Sequence, residues 1–151
     1  KTGVRTCEAA AYLRRTGADV TKVRKLFRER MEDYQVKAET LRTAEIFQES
    51  FAIAICKGEG IENPTILGAQ AANDLLDIIG VKASIVFTSF EDKIFVSARS
   101  IDEVNVQLIM ERLGGGGHLT AAGTQLKGCT IEEAKELVKQ TILQMMEEGA
   151  I

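Results

Sequence analysis

Residues 81 to 100 read VKASIVFTSFEDKIFVSARS. Two runs rich in Val, Ile and Phe, 81–90 and 93–100, are parted only by Glu91 and Asp92. β-Branched and aromatic runs around a two-residue polar gap predict an antiparallel hairpin. Apolar residues fall on both alternating faces of each run, which implies a sheet covered on both sides. The covering elements must lie in the flanking sequence.

Upstream, FAIAIC (51–56) reads as a short strand. Asn63-Pro64 supplies an N-cap and a proline at the first helical position. The helix that follows carries Leu67, Ala71 and Leu75 at i, i+4 spacing, and Gly80 closes it. Downstream, Ser100 and Glu103 fit a capping box. The helix behind them sets Val106, Ile109, Met110 and Leu113 on one face, with Gly114 as its left-handed cap. After LGGGGH (113–118), TQLKG reads as a short edge strand. Thr130 and Glu133 open a last helix striped with Ile131, Ala134, Val138, Ile142 and Met145. The order β-α-β-β-α-loop-β-α predicts an α/β domain: a mixed β-sheet flanked by helices.

The first fifty residues differ. Two short helices, capped by Thr6 and Asp19, are expected before residue 28. Residues 28–49 are highly charged and lack Gly and Pro, so they read as a long solvated helix. The expected organisation is therefore helices over 1–28, a helical linker over 29–49 and the α/β domain over 50–151.

The chain has 151 residues, a net charge of −3, three cysteines and one histidine. No apolar run approaches the ~18 residues that cross a bilayer. The lack of a global basic field argues against tight coating of long nucleic acid, while a local phosphate site needs no net positive charge. Cys7, Cys56 and Cys129 are far apart and form no C-x-x-C pair, so they read as reduced thiols.

That leaves the glycine run and its neighbours. Four glycines free backbone N–H groups to turn together into an anion-binding concavity. His118 at their end can donate to a phosphate, stack on a base or transfer a proton. A short helix from Leu119 would add its N-terminal amides. Arg99 ends a strand, where a guanidinium can clamp phosphate bidentately. The bland readings are a connector loop, a structural histidine, and an Arg99 paired with Asp102 or Glu103.

SARSIDEVNVQLIMERLGGGGHLTAAG (97–123) resembles the DHH-associated domain of the DHH phosphoesterase superfamily, whose mark is a GGGHxxAAG-like motif. Together with TGVRTCEAAAYLRRTGAD, AQAANDLL and TQL, it is similar to the C-terminal part of the GdpP (YybT) type of cyclic-di-AMP phosphodiesterase. The resemblance implies two lobes across a cleft, with two manganese ions held by Asp and His of the DHH lobe. No D-H-H triplet occurs here. Residues 1–28 are expected to be the last helices of that lobe, and hydrolysis is expected of the longer protein, not of these residues alone. Carried over by motif, Arg99 and Gly114, Gly115, Gly116 and Gly117 would contact phosphate, with Ser97 beside Arg99. His118 would bind phosphate or base, and Thr120, Ala121, Ala122 and Gly123 would shape the pocket. The implied partners are a cyclic or linear dinucleotide, short oligonucleotides, the DHH lobe itself and a second copy in a homodimer. The implied location is the cytoplasm, in proteins anchored to the membrane elsewhere. A rival reading is an oligonucleotide-binding module of a RecJ-like or oligoribonuclease-type exonuclease; the scarcity of aromatics speaks against a long stacking track.

Overall fold

The computed structural model describes residues 3–101 and 103–151, in two compact units divided between Met31 and Glu32. The first unit holds α1 (Val4–Arg15) and α2 (Val20–Leu26). Asp19 caps α2 by accepting from the Thr21 and Lys22 amides, as expected. Thr6, expected to cap α1, instead lies inside its first turn, and Gly3 is the N-cap. Neither helix contains a buried residue.

The second unit is a six-stranded mixed sheet with helices on both faces. Its elements are α3 (Met31–Arg42), β1 (Glu45–Phe47), β2 (Phe51–Cys56), α4 (Pro64–Leu75), β3 (Ala83–Phe90) and β4 (Lys93–Ser100). They continue with α5 (Val106–Arg112), β5 (Gly116–His118), β6 (Ala121–Lys127) and α6 (Ile131–Glu147). The strand order is β1-β2-β3-β4-β6-β5. Only β2 and β3 run parallel, joined across α4; the other neighbours are antiparallel.

The hairpin is as read: β3 and β4 pair from Ala83↔Ser100 to Phe90↔Lys93, turning at a left-handed Glu91 with φ 53°. One apolar core fills the face under α5 and α6, with Ile53, Phe87, Val96, Met110 and Ile142 among its buried members. A second fills the face under α4, with Ala54, Leu67, Leu75 and Val86. β2 and the first six residues of β3 are almost wholly buried. β4 alternates, so Phe95, Ser97 and Arg99 on the α4 side are only half-buried.

Five local expectations are corrected. The charged segment is helical only to Arg42; β1 then pairs with β2, and Val36, Leu41 and Ala44 pack on the second core. Helix α5 is capped by Asn105, not by Ser100 and Glu103. Ser100 is held in β4, donating its N–H to Thr120 O, and Glu103 pairs with Lys82 at 2.7 Å. Asn63 precedes Pro64 at the start of α4 but makes no side-chain cap bond. No helix starts at Leu119, because Leu119 and Thr120 form the turn between β5 and β6. The strand expected as an edge, β6, is interior, and β5 takes the edge. The capping box of Thr130 and Glu133 on α6 is present as read.

Candidate functional site

Pairing register alone brings the selected residues together. Arg99 pairs with Ala121 across β4–β6, and Ala121 pairs with His118 across β6–β5. Directly opposed residues share a face. Arg99 and His118 therefore stand on one face, two strand spacings apart, roughly 10 Å between backbones. The face is fixed by the next member of the row: Ser84, opposite Arg99, donates its hydroxyl to Ala72 O of α4. The following row is Ser97–Gly123–Gly116, and the one after it joins Phe95 to Gln125.

Several bonds hold this end of the sheet. The Leu119 carbonyl accepts from the Val106 amide, and Thr120 O from the Ser100 amide. The β5–β6 turn is thus tied to the start of α5 and the end of β4. Thr124 donates its hydroxyl to Leu113 O, fixing the last turn of α5 on β6.

The glycines divide their labour. Gly114, at φ +77°, takes the left-handed cap position; its N–H bonds Glu111 O, and the Gly115 N–H bonds Met110 O. This pair is a Schellman motif. The expectation that all four amides turn together into one cradle is corrected: two of them close the helix. Gly116 and Gly117 belong to β5 instead. A Cβ on Gly115 would stand 2.2 Å from Gly123 O, and one on Gly117 would stand 2.5 Å from Ala121 O. Gly116 would meet nothing within 4 Å, so it is bare on the open face.

Arg99 is half-buried, and burial pulls its guanidinium below its ordinary value without removing its charge. Its Nη1 donates to Ala98 O at 2.8 Å. Among the described residues no carboxylate pairs with it, since Glu103 is taken by Lys82; Asp102 lies outside the described residues. His118 is exposed at the sheet edge. Ala121 and Gly123 line the same face, Ala122 is buried on the other, and Thr120 is in the turn. A hollow of about 490 Å³ lies on β4 and β6, walled by Thr65 of α4 and by Gly114 and Gly115. Phe95, Gln125 and Thr65 line it, and the motif did not select them. The two-residue spacing of Phe95, Ser97 and Arg99 was a signal for Phe95; Gln125 needed the register.

The DHHA1 domain model matches residues 48–148. The chain belongs to the DHHA1 domain family. It is 45% identical over 151 residues to a cyclic-di-AMP phosphodiesterase, GdpP, of Geobacillus thermodenitrificans, covering 99% of this chain and 23% of that protein. It is 44% identical over 137 residues to the cyclic-di-AMP phosphodiesterase PdeA of Listeria monocytogenes, covering 90% of this chain and 21% of that protein. The chain thus spans under a quarter of these relatives. A crystal structure of an exopolyphosphatase-related protein from Bacteroides fragilis shares the fold, with a TM-score of 0.81 at 20% identity over 95% of this chain and 44% of that one.

A two-manganese centre does not fit the donors present. His118 is the sole imidazole, and among the described residues no three His, Cys, Asp or Glu side chains converge. The described cysteines are free thiols, exposed at Cys7, buried at Cys56 and half-buried at Cys129. Among the described residues no helix is long and apolar enough to cross a membrane.

Proposed function

We propose that this chain is the substrate-binding lobe of a cytoplasmic phosphodiesterase that acts on cyclic di-adenosine monophosphate or its linear product pApA. The observation that carries this reading is the row Arg99–Ala121–His118 on an open sheet face, with no carboxylate on Arg99 among the described residues. Half-buried, Arg99 has lost water and gained no counter-ion among the described residues, and a phosphate oxygen supplies one. His118 adds a second donor from across β6, and bare Gly116 lets the ligand approach the main chain. The lobe's work is to seat and orient the anion; bond cleavage is assigned to a DHH lobe elsewhere in the protein. That the GdpP and PdeA relatives are cyclic-di-AMP phosphodiesterases supports this choice of substrate.

Calorimetric titration of the chain with pApA tests it. Arg99→Ala and His118→Ala should each weaken binding about tenfold or more, the usual loss for a charge-assisted hydrogen bond. Parent-like binding by both variants would overturn the site. A five-nucleotide oligomer that outcompetes pApA would favour the oligonucleotide reading instead.

A further inference from the structure

We propose that Phe95 and Gln125 form an adenine-recognition subsite on the same open face, an inference that rests on the phosphate reading of Arg99 and His118. Phe95 is the large apolar side chain of β4 that joins neither core. It is half-buried beside Phe90, which is 38% exposed, with the ring centroids 6.3 Å apart and tilted at 52°. A ring held by a second ring and left open on its other side is a stacking surface. Phe95 lies on the face of Arg99, four residues along β4, or roughly 13 Å.

The row between them is built of small groups. Ser97, Gly123 and Gly116 stand side by side across three strands. Ser97 and Gly123 line the hollow of about 490 Å³ together with Phe95 and Gln125, and Arg99, His118 and Gly116 lie beyond its lining, further along the same face. A sugar can lie on this row, between a phosphate at one end and a base at the other. Gln125, directly opposite Phe95, is exposed. Its amide presents one donor and one acceptor side by side. On the N7 edge adenine matches this with its N6 amino group and N7, whereas guanine offers two acceptors there, N7 and O6; on the Watson–Crick edge an amide can pair with either base, so the discrimination requires Gln125 to read the N7 edge. The ligand class is therefore an adenylate, stacked on Phe95 and read at its edge by Gln125.

Titration of the 151-residue chain with three probes tests this: pApA, pGpG, and the same phosphorylated diribose backbone without bases. The parent should bind pApA more tightly than the abasic backbone. Phe95→Ala should erase that difference, a loss of about fivefold to a hundredfold, while Phe95→Tyr keeps it. Gln125→Ala, at an exposed position, should shrink the preference for pApA over pGpG. If pApA and the abasic backbone bind the parent equally, or Phe95→Ala and Gln125→Ala retain the parent's ratios while Arg99→Ala weakens every probe, the base subsite is wrong and the phosphate seat stands. If no probe binds the parent, or Arg99→Ala and His118→Ala change nothing, the phosphate reading falls and the subsite falls with it.

Discussion

Gly115, Gly116 and Gly117 are adjacent and chemically identical, yet their surroundings differ. A methyl group on Gly115 or Gly117 would run into the backbone of β6, which has no room to retreat, whereas Gly116 faces open space. Gly115→Ala and Gly117→Ala should therefore each destabilise the fold by about 2 kcal/mol, while Gly116→Ala should stay within about 0.5 kcal/mol. Urea midpoints measure both; equal effects at the three positions would refute the division. Composition and order single out Arg99 and His118, because one cation at a strand end and one imidazole after a glycine run are conspicuous. They do not tell one glycine from the next. That distinction depends on which glycine meets Ala121, Ala122 or Thr124, residues that follow in the chain and return alongside it.

Helix α6 and strand β1 carry the testable local contributions. Thr130 accepts from the Glu133 amide, and Glu133 accepts from the Thr130 amide at 2.7 Å. Thr130→Ala should cost about 1 kcal/mol, read as a lower urea midpoint with unchanged slope. Strand β1 is pinned to α6 by Glu45, whose carboxylate meets Lys139 at 2.5 Å and Lys135 at 3.0 Å. Lys139 and then Lys135 hold this carboxyl below its ordinary value of 4.5, against the opposing pull of burial. A lowered folded value means that the stabilisation is present above pH 4.5 and is lost as pH falls through the folded value. The stability gap between the parent and Glu45→Gln should thus narrow as the medium is acidified below pH 4.5; a gap constant down to pH 3 would contradict the pinning. The longer elements were readable: the β3–β4 hairpin has its residue pattern and gap, and α4 and α6 have their stripes. β1 and β5 were not. Each has three residues, too few for periodicity; β1 hides in a charged segment, and β5 is two glycines and a histidine.

The order of strands could not be read along the chain, because β6 inserts between β4 and β5 by pairings made only after the turn at Leu119 and Thr120. That insertion is what turns two separate motifs into one face. The mixed sheet with helices on both sides was legible, as was its resemblance to the DHH-associated domain; the route through Ala121 that joins Arg99 to His118 was not. The division of the chain between Met31 and Glu32 makes a further prediction. The apolar cores lie within 32–151, and α1 and α2 bury nothing, so removing residues 1–31 should leave the cooperative unfolding midpoint unchanged. A shorter chain that unfolds without cooperativity would contradict this. The shared seat itself is best probed by a double-mutant cycle on pApA binding with Arg99→Ala, His118→Ala and the pair combined. Two donors on one phosphate should be coupled, so the double variant loses clearly less than the two single losses together. Strictly additive losses, or none, would show that Arg99 and His118 do not hold a common anion.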